Sequence, residues 1–549
     1  MKDFRPALFS SLKGYTGKQL VSDIISGIIV AIIALPLSIA LALASGVGPE
    51  EGLYTAIVAG ALIAFFGGSR VQISGPTAAF ATIVAGIVAV NGIEGLMIAT
   101  VMAGIILILM GLFRFGGLIK YIPFTITTGF TAGIAVTILI GQLKDFFGLT
   151  YPDGVKPIET AEKVEAFISN ISTINLWAVL VGLIGLAILI IWPKIKYLSK
   201  VPASLVAVLV GIAVVKIFGL EVNTIGDLYS VSSALPSFRM PTFSFDLVRR
   251  LLPDAFTIAI LAAIESLLSC VVADGMTNTK HNSNTELVAQ GIGNIGSAFF
   301  GGIPATGAIA RTAANIKSGG RTPVAGIVHA IVLLLILVLL MPYAALIPMP
   351  IIAAVLFHVA YNMCQWRPFV RLVKTAPKTD VFVLVVTFVL TVVFDLVVAI
   401  AVGIVLACVL FMKKVSDQTE LQPWEKKDSE NDSHLLRDLP EGLSVYEISG
   451  PLFFGVADRI SNIGIDDETK CIVLRMRSVS TIDSTAMNAL ESFYAHCSEM
   501  GIKVVFSHVN KQPMEFIRKA GLAEKVGEEY FCDHITTALA LAEKLVQDK

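Results

Sequence analysis

Glu265 and Arg311 are the ionisable side chains best placed to do chemistry in this sequence, because each stands in an otherwise apolar run. A charged side chain at bilayer depth costs on the order of 3 kcal/mol, so one kept there serves function by default. Arg311 ends the run Gly302-Ile303-Pro304-Ala305-Thr306-Gly307-Ala308-Ile309-Ala310-Arg311. A second run of the same chemistry reads Ser74-Gly75-Pro76-Thr77-Ala78-Ala79-Phe80. Such Gly, Pro and Thr patterns stop extended backbone and start a helix, so each run predicts a helix N-terminus inside the membrane. Each end offers roughly +0.5 charge and unpaired N–H groups, and Thr77 and Thr306 are suited to cap them. With Arg311, the two ends supply about +2 of effective charge. That is anion-binding chemistry, and interrupted segments at matching places in two halves are the sequence pointer to a transporter's site.

Glu265 adds a proton-linked option. It lies in Ala259-Ile260-Leu261-Ala262-Ala263-Ile264-Glu265-Ser266-Leu267-Leu268-Ser269, with Ser269 one turn on. Ionised, it trims the site from about +2 to about +1; protonated, it favours an anion of higher charge. Proton–anion symport follows as an expectation. Sodium is the rival coupling ion, with Glu265, Ser269, Thr306 and backbone oxygens as ligands. Ile309 offers no oxygen there, which tilts the reading toward protons. A purely structural Glu265–Arg311 bridge stays open. Asp395 reads as an interfacial or capping residue, and Gly129 and Gly133 as close helix packing.

The elements that must position these residues are membrane helices. The 549 residues are 55% hydrophobic and 15% charged, far more apolar than a soluble domain. Apolar runs predict about fourteen segments, beginning near Ile24, Tyr54, Thr77, Gly95, Thr125, Ile174 and Pro202, then Pro253, Leu287, Gly307, Pro323, Pro350, Val381 and Leu396. Basic residues fall on one side under this numbering, from Lys2, Arg5, Lys13 and Lys18 to Arg367, Arg371, Lys374 and Lys378. By the positive-inside rule both termini are then cytoplasmic, in an integral plasma-membrane protein. Arg249 and Arg250 are the exception, expected on an interfacial helix before the eighth segment. Seven segments per half is odd, so the second half enters from the opposite side, an inverted repeat. The expected organisation is a cytoplasmic N-terminus over 1–20, a transporter domain over 21–414 (repeats about 21–220 and 250–414), a linker over 415–435 and a soluble domain over 436–549.

Several classes are excluded. A net charge of −1 with no basic run argues against nucleic acid. The six cysteines form no Cys-x-x-Cys pair, so neither a metal centre nor a disulfide framework is expected. Met1 to Leu20 is too polar for a cleavable signal. Without a nucleophile or metal cluster near Glu265 and Arg311, the sequence predicts no enzyme and no cofactor.

Ala34-Leu35-Pro36-Leu37-Ser38-Ile39-Ala40 followed by Gly52-Leu53-Tyr54 resembles the SulP sulfate-permease family, which includes prestin. So do Ile73-Ser74-Gly75-Pro76-Thr77 and the run Asn278 to Asn315, with Gly291-Ile292-Gly293-Asn294 and Gly301-Gly302-Ile303-Pro304. The resemblance implies a polytopic α-helical membrane protein with a seven-plus-seven fold of mobile core and gate. It also implies elevator-like anion movement and a dimer. Carried over, its anion pocket falls on Leu37, Leu41, Thr77, Ala78, Glu265 and Gly307 to Arg311, including Ala308 and Ile309. Leu37 and Leu41 stand where many relatives carry polar or aromatic residues, which leaves sulfate, bicarbonate, halide and dicarboxylate substrates open.

The soluble tail alternates strands at Leu443–Ile448, Cys471–Met476 and Lys503–Ser507 with helices at Ser484–Met500, Lys511–Lys519 and His534–Gln547. It resembles an α/β STAS domain through Ile482-Asp483-Ser484-Thr485 and through Gly450-Pro451-Leu452-Phe453-Phe454, expected at a first hairpin. The resemblance makes Ser484 a candidate phosphorylation site; the plainer reading is that Asp483 and Ser484 cap the helix. Dimer contact, trafficking or a cytoplasmic protein partner is the expected role. Competing readings for the whole chain are a sodium-coupled bicarbonate symporter, an anion exchanger, a nucleobase-permease relative, and an anion sensor signalling through the tail.

Overall fold

The computed structural model describes residues 4–117, 123–152, 155, 157–195, 201–394, 396–423 and 439–547. Asp395 lies outside the described residues. The chain divides into two compact units, 1–404 and 405–549.

The first unit is helical and built for a bilayer; among the described residues, nine helices are long and apolar enough to cross one. The first half contains α1 (Gly17–Ala44), α2 (Pro49–Phe66), the two-residue strand β1 (Ser74–Gly75), α3 (Ala81–Leu112), α4 (Phe124–Gly141), α5 (Leu176–Ile191) and α6 (Ala203–Phe218). The second contains α7 (Phe245–Thr277), α8 (Ser283–Phe299), strand β2 (Thr306–Gly307), α9 (Ile309–Lys317), α10 (Val324–Ala344), α11 (Met349–Cys364), α12 (Trp366–Thr375), α13 (Lys378–Val393) and α14 (Leu396–Gln418). Every expected segment meets a helix. The third and fourth share α3, broken where Gly92 takes a φ of 67°, a left-handed geometry glycine adopts at little cost. In each half a short strand leads into the third helix.

Local sequence explains the helix ends. Thr16 and Gln19 form a reciprocal capping box at α1. Pro49 opens α2 with Glu50 and Glu51 in its first turn, where negative charge complements the dipole. Gln365 ends α11 in a left-handed conformation at φ 45°. One expectation fails: α7 starts at Phe245, so Arg249 and Arg250 lie in its early turns and not on a separate interfacial helix.

Two sub-bundles result. In one, α8 packs on α2 and α3, α7 on α3, and α10 on α1 and α2. In the other, α4 packs on α11 and α13, and α5 on α6 and α11. Small residues permit these approaches. A Cβ on Gly133 would lie 2.6 Å from Thr391 Cβ, so the Gly129–Gly133 stripe is close packing, as the sequence suggests.

The second unit holds a five-stranded sheet in the order β3 (Glu420–Pro423), β4 (Leu443–Ser449), β5 (Cys471–Ser478), β6 (Lys503–Ser507), β7 (Phe531–Cys532). Its helices include α15 (Ser484–Glu499), α16 (Lys511–Lys519) and α17 (Ile535–Gln547). Alternate residues of β5 serve opposite faces: Ile472 and Leu474 join the core with Ala486 and Leu490, while Cys471 and Val473 join Ala538 and Ala542. Two expectations are corrected, and one strand was not expected. β4 pairs with β5 in parallel, so 450–454 begins a crossover and forms no hairpin. Part of the expected linker is structured, since α14 reaches Gln418 and β3 pairs with β4. The short edge strand β7 carries too little pattern to be seen in sequence.

Candidate anion site

The site is organised by the crossing of the two interrupted segments. β1 and β2 run antiparallel, with Ser74 opposite Gly307 and Gly75 opposite Thr306. Strands this short cannot hold themselves in an apolar interior, so side chains complete their hydrogen bonds. Ile73 N–H donates to Thr312 Oγ1 at 3.0 Å, and Gly307 N–H donates to Ser266 Oγ at 3.0 Å. Ala308 N–H donates to Ile73 O at 2.9 Å. The helices that follow therefore start side by side, with Thr77 preceding the turn into α3 and Ala308 preceding α9.

The threonines do not cap those helices as expected; neither makes a side-chain cap bond. Both turn to Glu265. Thr77 Oγ1 donates to Glu265 Oε2 at 2.8 Å, and Thr306 Oγ1 donates to the same oxygen at 2.9 Å. The first-turn N–H groups are thus left uncapped by side chains. The structure brings Thr77, Thr306, Glu265 and Gly307 together.

Arg311 makes no bond to that carboxylate. Its Nη2 donates to Pro76 O at 2.5 Å, while Nε and Nη1 are buried without a hydrogen-bond partner. At 1% exposure it is among the largest fully buried side chains. Donors of a buried cation seldom stay unpaired without a role. The structural Glu265–Arg311 bridge is absent.

The other predicted residues separate. Ala308 is half-buried and Ile309 is 40% exposed, so protein does not fully cover the start of α9. Ala78 is buried beside Thr77. Leu37 and Leu41 lie on α1, which packs on α9; they contribute apolar surface and no hydrogen bond. Ser269 turns away from Glu265 to donate to Thr312 Oγ1 at 3.3 Å. In the second unit, Ser484 is exposed at the start of α15, where Asp483 alone supplies the cap, accepting from Ala486 N at 2.8 Å and Phe454 N at 2.9 Å.

Sequence reasoning missed the layer behind the crossing. Glu286 on α8, fully buried, accepts from Gln72 Nε2 at 2.7 Å, Gln290 Nε2 at 2.9 Å, Gly68 N at 2.9 Å and Ser69 N at 3.1 Å. Asn294 exchanges two hydrogen bonds with Ala305. The signal was present: Glu286, Gln290 and Asn294 recur at i, i+4 and i+8, one polar stripe on an apolar helix. His329 was also missed; it is buried on α10 with neither ring nitrogen hydrogen-bonded.

A cavity of about 810 Å³ lies between α3 and α7 on one side and α4 and α13 on the other. Its lining includes Thr82 and Gly86, Thr137, Thr391, and Arg250 with Asp254. It therefore runs along the seam between the two sub-bundles, with Arg250 in its wall.

Residues 20–387 match the Sulfate permease family and residues 437–541 match the STAS domain. The chain is 40% identical over 534 residues to the putative sulfate transporter YvdB of Bacillus subtilis, covering 95% of this chain and 98% of that one. It is 32% identical over 542 residues to the bicarbonate transporter BicA of Synechocystis, covering 95% and 94%. The solved transmembrane domain of a cyanobacterium BicA matches with a TM-score of 0.63 at 32% identity, over 70% of this chain and 98% of that one. SLC26A9 matches in fold with a TM-score of 0.88 at 20% identity, over 98% and 92%. The chain belongs to the sulfate permease family and carries a C-terminal STAS domain.

Proposed function

We propose that this protein is a secondary active transporter of a small oxyanion of the sulfate, bicarbonate or dicarboxylate class, coupled to protons. The observation that carries the reading is Arg311, in the first turn of uncapped α9, whose Nη2 reaches Pro76 O just before the other uncapped helix start while Nε and Nη1 stay unpartnered. Helix N-termini and a guanidinium fork both suit oxyanions. The relatives named for sulfate and bicarbonate support the class.

The two sub-bundles support an alternating-access reading. The anion and its ligands ride on the bundle of α1, α2, α3 and α7 to α10, and this core slides in an elevator-like motion past the gate containing α4, α11 and α13. The protein works in the cytoplasmic membrane with both termini inside, as a homodimer.

Glu265 is the coupling group. With both hydroxyls donating to it and Ser269 engaged elsewhere, a sodium ion would lack one expected oxygen ligand; a proton needs none. Protonation removes the negative charge to which the Thr77 and Thr306 hydroxyls donate and strengthens the hold on an anion. The test is uptake of labelled sulfate, bicarbonate and dicarboxylate into liposomes, with and without an inward proton gradient. Accumulation of one anion that the gradient drives and Glu265→Gln abolishes supports the reading. Sodium-driven uptake, or strict anion-for-anion exchange, overturns the proton assignment. Anion binding with no flux under any gradient would make the protein a sensor.

A further inference from the structure

Helix α12 carries two parallel stripes, one apolar and one basic, that nothing in its own unit covers. Residues on a helix advance about 100° each, so positions i, i+4 and i+7 share a stripe. Trp366, Val370 and Val373 form the first; Arg367, Arg371 and Lys374 form the second, one residue further round. The apolar three are 45%, 39% and 43% exposed. A third stripe, Phe369 and Leu372, is half-buried, and the Phe369 ring centroid lies 5.4 Å from that of Phe388 on α13. The packing contacts are thus already used on one side. The exposed apolar and basic stripes remain.

We infer that α12 lies at the membrane surface and binds anionic phospholipid headgroups through Arg367, Arg371 and Lys374. An interfacial helix needs this arrangement: an apolar stripe for the acyl boundary, an aromatic at headgroup level and a basic stripe for the phosphates. Trp366 supplies the aromatic; its Nε1 donates to Tyr361 Oη at 3.1 Å, and the Arg367 guanidinium carbon stands 5.5 Å from its ring centroid. Within α12 the charge is unopposed. No acidic residue occurs from 350 to 379, and Lys378 adds a further exposed cation. Left-handed Gln365 breaks the membrane-length stretch 349–375 into the apolar helix α11 and the ten-residue α12.

The position gives the contact a consequence. α11 and α13, on either side of α12, both pack on α4, so lipid bound at α12 holds that sub-bundle at a set depth. The link to the other sub-bundle is weaker and runs through the packing of α11 on α1.

The test uses the full chain in liposomes with Trp177, Trp192 and Trp424 replaced by phenylalanine, leaving Trp366 as the fluorophore. Quenching by brominated phosphatidylglycerol is compared with quenching by brominated phosphatidylcholine. Each basic residue near an anionic surface changes partition about fivefold. Phosphatidylglycerol should therefore quench preferentially, and the preference should fall at least tenfold in the triple variant Arg367→Gln, Arg371→Gln, Lys374→Gln. It should also weaken in high salt. The triple variant should still be quenched equally by both lipids, which shows that α12 remains folded at the interface. Equal quenching by the two lipids in the parent overturns the headgroup assignment. No quenching by either lipid overturns the surface placement and points to a protein, a second copy included, covering the helix.

Discussion

Gly75 and Arg311 share one space: a Cβ on Gly75 would lie 2.6 Å from Arg311 Nη1. Only hydrogen at position 75 lets the guanidinium lie against β1 and reach Pro76 O. Gly75→Ala is therefore expected to push Arg311 out of place and weaken anion binding about tenfold or more, the scale of one charge-assisted hydrogen bond. Titration of the purified protein with the transported anion reads this directly. Unchanged affinity would show that Arg311 holds no anion in this pose.

Ser266 and Thr312 act on the crossing and not on the anion. Ser266→Ala would leave Gly307 N–H buried and unpaired, and Thr312→Val would do the same to Ile73 N–H. Each should lower stability by about 1–3 kcal/mol. Thermal unfolding in detergent measures it, and the loss should persist in saturating anion.

Glu286 is the keystone of the layer behind. Glu286→Ala strands two backbone and two side-chain donors, and the expected loss is roughly 3 kcal/mol or more. Glu286→Gln keeps an acceptor oxygen and should recover part of it. Comparing the two variants by folded yield and melting temperature separates lost hydrogen bonding from lost volume.

In the STAS domain, Asp483 caps α15 and also accepts from Phe454 N, tying 450–456 to the helix. Asp483→Ala should cost about 1–2 kcal/mol, while Ser484→Ala should cost little because Ser484 makes neither bond. If Ser484 is phosphorylated, the added charge at a helix N-terminus is favourable. Mass spectrometry of protein from cells, read against Ser484→Ala, tests that expectation.

Acid should also weaken this domain at its surface. Arg518 Nη2 lies 3.0 Å from Glu528 Oε2, and that hydrogen bond holds the Glu528 carboxyl below its usual range. A lowered carboxylate contributes fully above its unfolded value and loses that contribution as pH falls through the folded one. Melting curves of Glu528→Gln should therefore show a smaller acid-dependent fall than the parent, with little difference near neutrality, since exposed pairs contribute little.

Much of this was legible without coordinates, for physical reasons that act locally. Apolar runs of membrane length must be helices because lipid offers the backbone no partner. Gly-Pro-Thr breaks mark helix starts whatever surrounds them, so Thr77, Thr306 and Arg311 stood out as residues. The alternation in β5 and the Asp483 cap were similarly plain. What escaped was partner choice. Thr77 and Thr306 had two physically sensible partners, the N–H groups of their own helix ends or a carboxylate 188 and 41 positions away, and spacing cannot decide between them. The same holds for Ser269, which turned to Thr312, and for Arg311, which took a backbone carbonyl in place of Glu265. Residue types and periodicity determined that this chain is a membrane protein with an interrupted segment in each half. Only the antiparallel crossing of β1 and β2, which sets those breaks side by side, decided which donors are spent on the protein and which stay unpaired.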